Sequence, residues 1–239
     1  MRARAGTHTV PTDGDAGVAA NERLTAVTGA VLLMLIVLEV ATLPSLQVLV
    51  SVHIVAGMVM AGPLVVKLAS TGYRFARYYL GSPGYVRRGP PPLALRVLAV
   101  ILVPATVVVV GSGLALTVIG PATPGALVPL HAISAILWVP TVTVHAVAHA
   151  PRLPPLVADE MRGPDRITRR WGRWVPRSVN AAALGVGAGA AVLLYPAAGL
   201  WSTWINATGN APSPKFFIVA LVLAALVLVV ARPWRWRPA

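Results

Sequence analysis

The chain has 239 residues, of which 56% are hydrophobic and only 11% charged, and its apolar runs are longer than the helices of a soluble core require. It contains no cysteine, which excludes disulfides, thiolate-held iron–sulfur clusters and covalently attached c-type haem. The formal net charge is +13, but the arginines collect between the apolar runs, where retention on the cytoplasmic side of a membrane explains them without nucleic acid. The composition predicts an all-α integral membrane protein, in which histidine must hold any redox centre.

The N-terminal region, residues 1–23, mixes Gly, Thr, Asp, Pro and Arg without apolar periodicity. This composition predicts a disordered cytoplasmic tail. The apolar run that follows is long and shows no small-x-small cleavage site, so it favours a retained membrane helix over a cleaved signal peptide.

Six apolar runs predict six transmembrane helices. They cover residues 24–43, 46–69, 93–119, 127–150, 179–200 and 216–231. The first two are separated by only a Pro-Ser pair, so they must be antiparallel neighbours. Residues 24–150 are expected to form a four-helix bundle of the haem-binding type, and residues 179–239 to add two further helices and a basic C-terminal tail. Gly185 and Gly189 have the spacing that lets membrane helices approach closely, within the fold or in a homodimer.

The connections between these spans alternate in charge. The 70–92 connection carries four arginines and the 151–178 loop carries seven, whereas the other three connections together carry only Lys215. Because arginine-rich loops stay on the cytoplasmic side, the pattern predicts a multi-pass protein of the cell membrane with both termini in the cytoplasm. The basic 151–178 loop is also a candidate docking site for an acidic soluble subunit.

Histidines are concentrated in the run 127–150. His131 and His145 are 14 residues apart, nearly four helical turns, so they share one face roughly 21 Å apart along the axis, and His149 lies one turn further. Imidazole inside a hydrocarbon span is costly unless it is paired or liganded. The spacing therefore indicates a bound group or a polar partner.

The second span carries a histidine at the same predicted depth as His131. His53 lies roughly 10 Å past Leu46, and His131 roughly 6 Å past Leu127, in two spans that run in the same direction. Two imidazoles at one level on parallel helices suit the axial ligation of a haem that lies between them. The alternative is that each histidine makes a polar contact with a neighbouring helix and binds no cofactor.

The positions of His53, His131 and His145 make the sequence resemble the four-helix membrane cytochromes b. This group includes the haem subunits of hydrogenases and formate dehydrogenases and the core of quinol-oxidising cytochrome b. The resemblance covers roughly residues 24–150 and implies two haems stacked between two parallel helices. Lys67 stands where the pattern has a histidine. We therefore expect one haem b on His53 and His131, with a second haem on His145 and Lys67 as the alternative.

The polar residues near the predicted cytoplasmic ends of the second and fourth spans, Lys67, His145 and His149, have other interpretations. A lysine this close to a helix end usually extends its ammonium to the lipid headgroups. His145 and His149, at positions i and i+4, also suit a solvated pair, a weak metal site, or a contact to a proton or a haem propionate.

Glu39 is the only acidic residue inside any predicted span, near the level of His53. It is a candidate acceptor for a quinol proton, and it could instead pair with an imidazole or reach the interface. Gly57, Gly111 and Gly113 lack side chains where a porphyrin face could approach.

The segment 72–92 interleaves aromatic residues with arginines. This pattern indicates an interfacial anchor that binds anionic membrane lipid. The alternative is that Arg74 or Arg77 neutralises haem propionates or binds a quinone headgroup.

Together these features predict a membrane b-type cytochrome that passes electrons between quinone and a partner redox protein. The chain has no nicotinamide or flavin fingerprint and no folded soluble domain, so it is expected to be an electron-transfer subunit rather than a stand-alone enzyme. The alternative is a cofactor-free membrane scaffold, or a small-solute or metal transporter in which the histidines are structural, carry protons or, at His145 and His149, bind a metal.

Overall fold

The structure is a computed structural model that describes residues 13–152, 171–209 and 214–235, and in these residues it is helical without a β-strand. The predicted basic loop lies mostly outside them. The helices are α1 Asp13–Thr42, α2 Leu46–Tyr79, α3 Pro83–Arg88, α4 Leu93–Ile119, α5 Leu127–His149, α6 Trp171–Thr208 and α7 Pro214–Ala231. The bounds of α4 confirm the predicted span 93–119.

Five helical stretches among the described residues are long and apolar enough to cross a membrane. They are Ala16–Tyr79, Leu93–Ile119, Leu127–His149, Trp174–Thr208 and Lys215–Arg235. The first has 64 residues because a 3₁₀ turn, Leu43–Ser45, joins α1 directly to α2. Most of the apolar side chains in these stretches face outward, where lipid suits them better than water. This is the architecture of a helical membrane protein.

α1 and α2 form an antiparallel hairpin around the 3₁₀ turn. Close to the turn, Thr42 contacts His53, and at the far end Thr25 donates a hydrogen bond to Ser70. The two-residue connection in the sequence therefore becomes the tip of a hairpin, as its length predicted.

α1 begins earlier than the composition predicted. Residues 13–23 are helical, whereas the composition assigned them to a disordered tail. The side-chain amide of Asn21 donates to the carbonyl of Ser70 at 3.2 Å, and Glu22 accepts from Arg74 at 3.3 Å and from Arg88 at 2.7 Å. These partners lie more than 45 residues away along the chain, so local composition could not reveal that they hold this part of α1.

α6 packs antiparallel against α2 with the two backbones in contact. A Cβ atom on Gly187 would lie 2.5 Å from the carbonyl oxygen of Val59, and one on Gly62 would collide with the backbone of Ala183. Gly185 and Gly189 face open space. The close approach predicted for this helix is therefore made by Gly187, because two residues along a helix is more than half a turn. A homodimer through the other face stays a prediction.

α4 pairs with α5, and α7 covers α5. The indole of Trp138 on α5 donates to the hydroxyl of Thr106 on α4 at 2.9 Å. Within the described residues α2 packs chiefly against α1 and α6, and α2 and α5 are not a closely packed pair. The two helices that carry the predicted haem ligands are therefore held apart by their other partners.

Candidate functional site

His53 on α2 and His131 on α5 meet near one end of the bundle, which we call the His53 end. Their ring centroids are 6.2 Å apart and the ring planes are inclined at 77°. Both residues lie in the first third of their helices, and the helices start at the same end of the bundle. The structure thus brings together the two histidines that the predicted depths paired.

The His53 ring is held by the hairpin. Its Nδ1 atom lies 2.6 Å from Oε2 of Glu39 and 2.9 Å from the hydroxyl of Thr42. The Thr42 hydroxyl already donates its proton to the carbonyl of Glu39, so it can only accept from Nδ1. The proton of a neutral His53 therefore sits on Nδ1, and Nε2 keeps its lone pair.

The His131 ring is held in the same way by α4. Its Nδ1 atom lies 2.9 Å from the carbonyl oxygen of Val109 and 3.2 Å from the hydroxyl of Ser112, which itself donates to the carbonyl of Val108. Both partners can only accept, so Nδ1 again carries the proton. Within the described residues neither ring makes a hydrogen bond through Nε2. A histidine held through Nδ1, with Nε2 available, is the usual arrangement of a metal ligand.

Glu39 is buried beside His53, with 8% of its side chain exposed. Apart from the imidazole, Oε2 has no hydrogen-bond partner among the described residues. A buried carboxylate needs a cationic or protic partner, and His53 is the one it has. Glu39 is therefore part of the site.

Two of the three predicted glycines make room for these side chains. A Cβ atom on Gly57 would lie 2.9 Å from Oε1 of Glu39, and one on Gly113 would lie 3.0 Å from Cε1 of His131. Gly111 faces open space. Gly57 and Gly113 therefore leave space for the side chains of Glu39 and His131, which the sequence interpretation did not foresee.

The separation of the rings fits a metal between them. Two metal–imidazole bonds of about 2 Å, with about 1 Å from each nitrogen to its ring centre, place the centroids of trans imidazoles about 6 Å apart. An edge-to-face contact between two neutral rings covers the range of roughly 4.5–7 Å. The distance suits both arrangements, and so does the hydrogen bonding of both rings through Nδ1. Among the described residues no group of three or more histidine or acidic side chains is arranged around a metal position.

An apolar cluster closes the bundle beyond the rings. Val50 and Val128 lie one turn before His53 and His131, and Trp201 packs with them and donates from its indole to the carbonyl of Leu116 at 3.1 Å. The site therefore lies inside the bundle, where a low dielectric strengthens its hydrogen bonds.

The opposite end, which we call the Lys67 end, is built differently. The Lys67 ammonium donates to the carbonyl of Thr25 at 2.8 Å, so it lies against α1, and its predicted extension to the headgroups stays a prediction. His145 stacks on His149, one turn later on the same helix, with ring centroids 4.4 Å apart. His149 also donates from Nδ1 to the carbonyl of His145 at 3.0 Å.

The predicted arginines lie beyond Lys67 on the same helix. Arg74 pairs with Glu22, and the guanidinium of Arg77 lies 6.0 Å above the ring of Tyr73. They stand 21 and 24 residues after His53, so they are roughly 30 Å or more along the helix from the histidine pair. Contacts from either arginine to a group between His53 and His131 are therefore out of reach.

Sequence reasoning gave Glu39 as a possible partner of an imidazole, which the structure confirms at His53, but it missed the other partners of the two rings. Thr42 lies three residues after Glu39 on the same helical face, and this spacing could have been noticed. Ser112 and the carbonyl of Val109 leave no such signal, because a backbone acceptor has no sequence signature.

Known proteins were compared with the chain at three levels. No family model, no curated protein and no solved structure matches it. The resemblance to membrane cytochromes b therefore rests on its own histidines.

Proposed function

We propose that this protein is a membrane b-type cytochrome that carries electrons between a quinone and a partner redox protein. In this proposal the α1–α2 hairpin crosses the cell membrane twice, so the chain has six passages and both termini are cytoplasmic. A helix of about 20 residues is enough for one passage, and the 64 residues of Ala16–Tyr79 supply two. The alternation of arginine-rich and neutral connections supports this orientation.

The matched presentation of His53 and His131 carries the proposal. Two rings from different helices lie 6.2 Å apart, and each is held through Nδ1 by groups that only accept hydrogen bonds. These are the residues that would hold one haem b. A haem supplies a one-electron carrier whose potential depends on its axial ligands and on their hydrogen bonds.

Glu39 has two candidate roles in this function. Quinol oxidation releases protons, and a buried carboxylate whose Oε2 has only an imidazole partner is positioned to accept one. Its other role is to hold the His53 ring and fix the proton on Nδ1. Glu39→Gln separates them, because the amide preserves the shape and a hydrogen-bond acceptor but takes up no proton. We expect this variant to keep its haem and to oxidise quinol more slowly.

The proposal includes a single haem. At the Lys67 end both imidazoles come from α5, and the lysine of α2 is engaged by Thr25. A second haem would need ligands from two sides.

In this proposal the partner redox protein docks on the basic 151–178 loop.

A cofactor-free membrane scaffold or transporter is the second candidate. The 77° angle between the rings supports it, because directly paired neutral rings favour an edge-to-face arrangement. In this case His53 and His131 would contact each other and bind no metal.

The visible spectrum of the purified full-length protein tests the two candidates. A b-type cytochrome gives a reduced-minus-oxidised haem spectrum, and haem extraction should yield one haem for each chain. Protein produced with ample haem that shows no such spectrum would rule out the cytochrome and leave the cofactor-free candidate.

A further inference from the structure

Two buried hydroxyl groups lie beside the histidine rings in matching positions. The Thr42 hydroxyl on α1 lies 2.9 Å from Nδ1 of His53, and the Ser112 hydroxyl on α4 lies 3.2 Å from Nδ1 of His131. Thr42 is 2% exposed and Ser112 is 6% exposed. Neither hydroxyl belongs to the helix that carries its histidine, so each one fixes a ring relative to a neighbouring helix.

The direction of each hydroxyl is set by its own helix. Thr42 donates its proton to the carbonyl of Glu39 at 2.6 Å, and Ser112 donates to the carbonyl of Val108 at 2.6 Å. A hydroxyl whose proton is engaged in this way presents its lone pairs in a fixed direction. Each hydroxyl is therefore a rigid acceptor, and the ring must turn to meet it.

Each ring has a second acceptor at the same nitrogen atom, and these second acceptors differ in charge. Nδ1 of His53 lies 2.6 Å from the Glu39 carboxylate, and Nδ1 of His131 lies 2.9 Å from the carbonyl oxygen of Val109. An N–H group between two fixed acceptors restrains the ring more than a single acceptor does, because a rotation toward one weakens the bond to the other. The two rings are held in this way with their planes inclined at 77°.

We propose that Thr42 and Ser112 are positioning residues that keep the two axial imidazoles in crossed planes and thereby tune the haem. The inference rests on the proposed cytochrome function, because it concerns the orientation of the haem ligands. Crossed imidazole planes interact almost equally with the two iron orbitals available for π-bonding, which makes a ferric haem strongly anisotropic in electron paramagnetic resonance (EPR). A hydrogen bond donated by the imidazole also raises its basicity and favours ferric over ferrous iron.

The test compares haem-loaded Thr42→Val with the wild-type full-length protein. Valine has the shape of threonine without the hydroxyl, so Glu39 alone would hold the His53 ring. We expect the low-field EPR feature of the ferric protein to move to higher field and the midpoint potential to rise. The affinity for haem should fall about fivefold, the net contribution of one neutral hydrogen bond. Thr42→Ser keeps the hydroxyl and should restore all three values.

The matched control is Thr28→Val. Thr28 is a fully buried threonine of the same helix, 14 residues before Thr42, and it donates to the carbonyl of Leu24 at 2.8 Å. This variant should leave the EPR signal and the potential unchanged.

A second variant covers the case in which Thr42→Val does not fold. Ser112→Ala removes the hydroxyl beside His131 and should change the EPR signal and the potential in the same directions. A haem-loaded variant of either residue with the wild-type signal and potential would overturn the positioning role and leave the cytochrome function intact. Absence of haem from the wild-type protein would overturn both.

Discussion

Helix α5 carries His131 and His145 14 residues apart, one at each end of the bundle, yet the two ends form different sites. At the His53 end two imidazoles from different helices stand 6.2 Å apart, each held through Nδ1. At the Lys67 end two imidazoles of one helix stack at 4.4 Å, and the residue opposite donates to a carbonyl of α1. Histidine spacing therefore does not define a ligand pair. A second helix must supply the other ring, and acceptors must hold both.

Removing either ring of the His53 end gives the largest expected effect. His53→Ala and His131→Ala should each abolish the reduced-minus-oxidised haem spectrum, because one imidazole cannot replace two axial ligands. Visible spectroscopy of the purified variants measures this. If either variant kept the full spectrum, the two rings would not be the ligands.

Removing the Glu39 carboxylate, which contacts Nδ1 of His53, gives the second-largest expected effect. Glu39→Ala leaves Nδ1 with Thr42 as its partner and should weaken haem binding about 10–100-fold, the usual cost of losing a group that orients a metal ligand. Titration of the haem-free protein with haem measures the affinity. Glu22→Gln is the control, since this acid binds arginines at the other end, and it should leave haem binding unchanged.

A substitution in the contact between α2 and α6, which supports both ends of the bundle, should destabilise the whole fold. Gly62 lies on α2 between His53 and Lys67, and its backbone touches Ala183 of α6. Gly62→Ala should lower the free energy of unfolding by about 1–3 kcal/mol, because the added methyl group must displace backbone.

Denaturant unfolding in detergent measures this change, with Gly185→Ala as the control. Gly185 faces open space, so its variant should stay within about 0.5 kcal/mol of the wild type. Equal stability of the two variants would contradict the close packing of α2 on α6.

Changes at the Lys67 end should have the smallest effect on the spectrum. His145→Ala should keep most of the haem signal, because its ring stacks on His149 of the same helix. The same spectroscopy applies. If this change alone removed the signal, the ligand would be His145 and the pairing of His53 with His131 would fail.

Much of the fold could be predicted because membrane helices follow from local sequence. An apolar run of the required length forms a helix in lipid whatever its neighbours, which is why the bounds of α4 match the sequence pattern. The start of α1 could not be predicted, since Asn21 and Glu22 are held by residues of α2 and of the connection that follows it.

The candidate site, like the fold, could be predicted from the sequence only in part. The level shared by His53 and His131 follows from helical rise and from counting residues, so the sequence predicted that these rings meet. It could not predict that the carbonyl of Val109 holds one ring or that Gly113 makes room for it, because these contacts depend on how α4 is rotated against α5.

The sequence by itself determined the apolar helices, the tight hairpin and the position of each polar residue along its helix, because these depend on composition and on distance along the chain. Only the tertiary structure decided which partners the polar groups took. Lys67 turned to Thr25, and Gly187 replaced Gly185 and Gly189 in the contact with α2. The physical reason is that a helix fixes the direction of a side chain relative to its own axis, whereas the rotation and neighbours of that axis are set by packing among all the helices.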